Sequence, residues 1–202
     1  MKIAIASIDT DVLQAKPLPA ETVLIFCTQE ESVPEADLYI DFGYEEKGYA
    51  FASITEKPVL VNAVVDTCAQ LPSNAIRFNG WPGFIERGVW EICGAVTALT
   101  AAEKQLQVLG WEYKVVPDVP GMIAARVIAM IINEAYFGWG EGIAEKQAID
   151  TALKLGTNYP YGPFEWAGKI GLTKIHSLLQ TLQGEQARYT PAPALLQALQ
   201  SD

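Results

Sequence analysis

Histidine is all but missing from this chain: 202 residues contain one, His176. It sits beside Leu178, Leu179 and Leu182 at helical spacing and reads as a surface or interhelix residue. Cysteine is scarce as well. Cys27, Cys68 and Cys93 form an odd set without metal-ligand spacing, in apolar surroundings, which fits buried thiols in a reducing compartment better than a disulfide framework. No apolar run approaches the roughly 20 residues of a membrane span. Residues 1–7 carry only a short apolar run, without the length or cleavage site of a secretory leader. A soluble, cytoplasmic protein with no membrane association is the expectation. Basic residues are few, 14 Lys and Arg against 24 Asp and Glu, and residues 1–110 hold 7 against 15. Such an acidic first half repels polyanions, so no nucleic-acid partner is expected, and a pyrophosphate would gain nothing from it.

What is present is apolar and ordered in character: half of the residues are hydrophobic, enough for one good core or two small ones. Short β-rich runs at 2–7, 22–27, 37–42 and 58–62 are separated by stretches too short or too polar for long crossover helices, which predicts a parallel sheet with reduced crossovers. Further strands are predicted at 75–79, 89–93 and 112–116, the first two flanking the loop Gly80-Trp81-Pro82-Gly83. Between the last two, Thr100 with Glu103 three residues on has the pattern of a helix start, and Gly110 stands where a glycine would end that helix. From 120 to 137 the chain is almost wholly apolar, the mark of a helix buried on all sides. A second helix is predicted over 141–155, a turn-rich connection over 156–171, and helices over 172–182 and 194–200. The boundary between an α/β domain, 1–117, and a helical domain, 118–202, is placed where strand signals stop.

Particular residues narrow this layout. Asp118-Val119-Pro120-Gly121 with Arg126, Asn133-Glu134-Ala135, Ile149-Asp150, Tyr159-Pro160-Tyr161-Gly162-Pro163-Phe164 before Gly171-Leu172, and Tyr189-Thr190-Pro191-Ala192-Pro193 together resemble the C-terminal helical domain of the 3-hydroxyacyl-CoA dehydrogenase family. Fainter likenesses run through the first half: residues 36–41 resemble a strand that places Glu45 where the family has an acidic residue near the cofactor, 58–62 resemble the strand ending at Asn62, and 77–91 resemble the segment carrying the family's catalytic pair. The fold this implies is a shortened Rossmann-like parallel sheet domain followed by a helical domain like the C-terminal one of 6-phosphogluconate dehydrogenase.

The resemblance also implies NAD as cofactor, an acyl-CoA as ligand, and a homodimer formed through the helical domain. The family cradles its dinucleotide in G-x-G-x-x-G after the first strand. Here residues 5–11 contain no glycine and two carboxylates, Asp9 and Asp11. In the family the base is a histidine oriented by a glutamate. The glutamate matches Glu91, and counting back without gaps puts Asn79 at the histidine's place, where an amide cannot relay a proton near neutral pH. Asn62, Asn79 and Arg126 are the expected substrate contacts, and Trp81, with Phe84 and Trp90, is a candidate lining for an acyl pocket. Ala125 takes the place of the family's substrate-holding asparagine. The expectation is a dehydrogenase-like protein without the family's NAD-dependent activity that still binds acyl-CoA or another small ligand. The alternatives are an active dehydrogenase with an altered site and a structural or regulatory dimerisation partner.

Overall fold

A computed structural model describes residues 1–7, 9, 11–13, 16–27 and 33–200. The chain divides into two compact units, Met1–Met122 and Ile123–Asp202. Among the described residues no helix is long and apolar enough to cross a membrane.

The first unit is a seven-stranded sheet in the order β2-β1-β3-β4-β5-β6-β7. Its strands are β1 (Lys2–Ala6), β2 (Val23–Cys27), β3 (Leu38–Asp41), β4 (Val59–Asn62), β5 (Ala75–Phe78), β6 (Val89–Gly94) and β7 (Glu112–Val115). Every pairing is parallel except β5 with β6. Strands β3, β4 and β5 are buried at all four of their positions, as expected where both faces of a parallel sheet are covered, whereas the edge strands β2 and β7 are largely open.

Strict alternation sends Ile3, Ile5, Leu38, Ile40, Leu60, Ile76 and Phe78 to one face. They meet Ala98, Ala102, Leu106 and Leu109 of helix α2 (Val96–Leu109). The other face, Ala4, Ala6, Tyr39, Val59, Val61 and Ala75, is covered by Phe51, Tyr44, Tyr49 and Ile54 from the β3–β4 connection, whose one helix is the single turn α1 (Tyr44–Lys47). Helix α2 starts four residues ahead of the predicted Thr100, because Ala98 already belongs to its buried stripe. Gly110 ends it at φ 65° as expected.

The second unit consists of α3 (Ala124–Gly140), α4 (Lys146–Thr157), α5 (Pro163–Ile170), α6 (Leu172–Glu185) and α7 (Pro193–Leu199). Helix α3 begins later than the apolar run, since Gly121 and Met122 adopt positive φ. Residues 118–122, assigned above to the helical domain, are tied instead to the sheet unit: Gly121 N–H donates to Val64 O and Asp118 bonds Arg77. Nor is α3 buried all round, for Ile123 just before it and Val127 within it are about half exposed. Helix α4 begins five residues later than predicted, after a turn through Gly142 at φ 74°. The connection read as turn-rich contains α5, whose start signal is Pro163 at the first helical position.

The family-like residues of this unit are hooks on the backbone. Asn133 donates to Thr190 O at 2.9 Å and accepts from Ala192 N–H at 2.8 Å, pinning the segment before α7 against α3. Asp150, on α4, accepts from Phe164 N–H at 2.8 Å at the start of α5, and Glu165 accepts from Gly162 N–H at 2.9 Å.

Candidate functional site

In an open α/β sheet ligands gather outside the carboxyl ends of the strands, at the point where strand order reverses. Strand β1, flanked by β2 and β3, is that point here. Of the residues singled out from the sequence, Glu45, Asn62, Asn79 and Trp81 converge near these strand ends. Asn62, ending β4, donates through Nδ2 to Phe42 O at 3.2 Å and accepts on Oδ1 from Gly80 N–H at 2.9 Å. Gly80 has to be glycine for this approach, since a Cβ there would lie 2.7 Å from Phe78 and 2.8 Å from Asn62. Glu45, in α1, accepts from Val64 and Val65 N–H at 2.9 and 3.1 Å on one oxygen and from Trp81 Nε1 at 2.7 Å on the other. Asn79 accepts from Trp81 N–H at 3.3 Å, while its Nδ2 is buried with no hydrogen-bond partner.

Asn79 and Glu91 do come together. Phe78 pairs with Ile92 across the antiparallel β5–β6 ladder, so Asn79 stands opposite Glu91 and its N–H donates to Glu91 O at 3.3 Å. Asn79 is thus the residue that faces Glu91 across the ladder.

Other expectations are redirected. Trp81, Phe84 and Trp90 line no open pocket: they are 0%, 3% and 2% exposed. Trp90 stacks on Phe78 with ring centroids 4.8 Å apart and lies 4.9 Å from Trp111, filling the core under α2. Glu45 and Asn62 are occupied by the protein's own groups. Arg126 belongs to the helical unit, where its Nε donates to Tyr189 Oη at 2.9 Å and its guanidinium faces Glu185 at 3.9 Å. A hollow of about 360 Å³ in that unit is lined by Tyr136, Lys146, Phe164 and Leu172 among others and by none of the expected cofactor, substrate or catalytic residues. Its Lys146 ammonium lies 4.1 Å from the Trp139 ring centre.

The residues at the end of β1 do not fit a dinucleotide. Ser7 Oγ accepts from Asp9 N–H at 3.1 Å and Asp9 Oδ1 from Asp11 N–H at 2.8 Å, so carboxylates and side-chain oxygens hold the N–H groups that would meet a pyrophosphate. Among the described residues no helix follows β1 before β2. Asp41, ending β3 at the same point, is fully buried, with its two oxygens accepting from Gly43 and Ala50 N–H.

Burial lifts the Asp41 carboxyl to about 6 against the lowering effect of those N–H groups. A carboxyl raised in the folded state binds more protons than in the unfolded chain, so its contribution to stability grows as pH falls from about 6 toward the unfolded value near 4. Urea midpoints of the wild type and Asp41→Asn, compared at pH 7 and pH 5, are expected to move in the wild type's favour at the lower pH. A pH-independent difference would contradict the burial.

Sequence reading missed one cluster altogether. Cys68, opening a 3-10 turn after β4, and Cys93, on β6, bring their sulfurs to 3.9 Å, and Asp118 joins them. Burial pushes the Cys68 thiol up to about 12 and raises Cys93 as well. Burial also acts to raise Asp118, but Cys68 N–H and Arg77 outweigh it and hold the carboxyl below its ordinary value.

A mostly parallel open sheet followed by a helical unit is the architecture of two-domain dehydrogenases. Residues 121–202 match the 3-hydroxyacyl-CoA dehydrogenase C-terminal domain family. The likeness to this family is carried by the helical unit, less than half of the chain. It is 44% identical over 109 residues to 3-hydroxyadipyl-CoA dehydrogenase of Escherichia coli K12, covering 51% of this chain and 23% of that protein. With 3-hydroxybutyryl-CoA dehydrogenase of Bradyrhizobium diazoefficiens the identity is 36% over 103 residues, 50% of this chain and 35% of the relative. These matches span only about a quarter to a third of the relatives' length. The crystal structure of (S)-3-hydroxybutyryl-CoA dehydrogenase from Ralstonia eutropha superposes with a TM-score of 0.73 at 20% identity, over 99% of this chain and 93% of that one. At that identity the likeness establishes the fold.

Proposed function

We propose that this chain is a 3-hydroxyacyl-CoA dehydrogenase-like protein without the family's NAD-dependent turnover, which keeps the helical unit for assembly and retains affinity for an acyl-CoA or similar small ligand. The observation that carries the reading is Asn79 standing opposite Glu91, with an anionic, self-bonded turn at the end of β1. An amide donates and accepts hydrogen bonds but takes no proton from a hydroxyl at neutral pH. The buried, unpartnered Nδ2 of Asn79 supports a role in binding a carbonyl. The apolar side chains of Ile123 and Val127, one helical turn apart and about half exposed, support self-association through the helical unit.

The 44% identity to 3-hydroxyadipyl-CoA dehydrogenase favours a second reading, an active dehydrogenase on an altered site. One set of measurements separates the two. The first reading expects no NADH-dependent reduction of acetoacetyl-CoA and a thermal shift with CoA or short acyl-CoA esters, but none with NAD or NADH. It also expects a light-scattering mass of twice the 22.0 kDa chain. Turnover that falls in Glu91→Gln and Asn79→Ala would establish the second reading. No shift with any ester would remove the binding role.

A further inference from the structure

We propose that Cys68, Cys93 and Asp118 form a site for a soft divalent cation of the zinc class, held by two sulfurs and one carboxylate oxygen with a fourth position open to water. The three residues come from different parts of the first unit: a turn after β4, strand β6, and the segment that follows β7. Their ligand atoms all lie within 4.8 Å of one another, and among the described residues no other such group of three is found. Two Zn–S bonds of about 2.3 Å at a tetrahedral angle set their sulfurs about 3.8 Å apart. The observed separation is 3.9 Å. The two thiols thus already span one edge of the coordination polyhedron.

The surroundings match a three-ligand open site. Val116 and Met122 pack with Cys93 and wall off the inner side, while Cys68 is half-buried and the Asp118 side chain is 37% exposed, leaving a path from solvent. The Asp118 carboxylate is oriented before any ion arrives: Cys68 N–H donates to both its oxygens at 3.1 Å, and Arg77 bonds Oδ1. Arg77 is itself fixed by Ala63 O at 2.9 Å and Val64 O at 3.2 Å, which makes it a positioning residue of the kind that metal sites place behind a ligand carboxylate. Charge balances too. Two thiolates and a carboxylate carry −3, and a divalent ion with the Arg77 guanidinium carries +3, the two thiol protons leaving to solvent as the ion binds. The sulfur pair selects a thiophilic ion over magnesium or calcium.

The rival chemistry is oxidation of the pair to a disulfide, which requires a thiolate before an oxidant arrives and closure of the sulfurs to about 2.05 Å. Cobalt(II) distinguishes the two. The full chain, kept reduced with a phosphine, is titrated with Co²⁺ and the sulfur-to-cobalt charge-transfer band is followed, then displaced with Zn²⁺. One equivalent is expected to bind, with the band lost or weakened at least about tenfold in apparent affinity in Cys68→Ser and in Cys93→Ser, and unchanged in Cys27→Ser. Asp118→Asn is expected to keep the band while binding more weakly, and circular dichroism confirms that each variant folds. The proposal is overturned if the reduced protein gives no charge-transfer band at excess Co²⁺, if the band survives in the Cys68→Ser/Cys93→Ser double variant, or if the reduced sample retains a Cys68–Cys93 disulfide by mass.

Discussion

Replacing Arg77 with methionine is expected to cost the protein about 3 kcal/mol, which a urea midpoint at unchanged slope reads directly. Arg77 is 0% exposed, on a strand buried at every position, and its guanidinium satisfies Ala63 O, Val64 O and Val119 O besides the Asp118 carboxylate. Methionine fills much the same volume but donates nothing, so carbonyls at the end of β4 and after β7 lose partners in a place water does not easily reach. Asp118 contributes less to the loss, because its partly exposed carboxylate is hydrated and keeps the Cys68 N–H. Asp118→Asn alone is therefore expected to be milder. The double variant should cost less than the sum, since the two residues share one bond network. A loss below about 1 kcal/mol for Arg77→Met would show that water replaces the guanidinium at those carbonyls.

How much of this was legible follows from which forces are local. All seven strands could be read, β1, β3 and β4 most directly, because these are short apolar runs between turn residues, and a buried parallel strand advertises itself in that way. The order β2-β1-β3 could not be read from the runs themselves. Helix ends were read less well. Thr100 and Glu103 have the right spacing for a cap, but the buried face reaches back to Ala98, and burial against the sheet outweighs a cap worth about 1 kcal/mol. At the site, Asn79 was matched with Glu91 through the spacing of the resembled family, while their opposition across an antiparallel ladder was not read, since ten residues separate the two strands. The bond from Trp81 to Glu45 and the meeting of Cys68 with Cys93 were not. Residues 36 and 25 apart are brought together by strand pairing, and neither pair leaves a spacing signature.

The residues that carry the family likeness mostly perform structural work, which explains why that likeness says little about chemistry. Asp118 ties down Arg77, Asn133 pins Thr190 and Ala192, and Asp150 caps α5. These contacts hold the fold whatever chemistry the chain performs.

Gly162→Ala tests this reading at its tightest point, with an expected loss of about 2–3 kcal/mol in the helical unit. The backbone at Gly162 has φ −74° and ψ 168°, a conformation any residue adopts, so no torsional strain is involved. What forbids a side chain is Asp150: a Cβ on residue 162 would lie 2.3 Å from its Oδ1 and 2.4 Å from its Cβ and Cγ. Asp150 is 8% exposed and cannot swing aside without releasing Phe164 N–H. Hydrogen exchange at the Phe164 amide should accelerate along with the global loss, because the start of α5 must shift to make room. Asp150→Ala does not relieve the variant, since the offending Cβ remains. Asp150→Gly does, at its own cost of about 2 kcal/mol, about half for a glycine inside α4 and about half for the lost cap on Phe164 N–H. In a double-mutant cycle the coupling between Gly162→Ala and Asp150→Gly is therefore expected to be favourable, and additive losses would mean that Asp150 is not what excludes a side chain at residue 162.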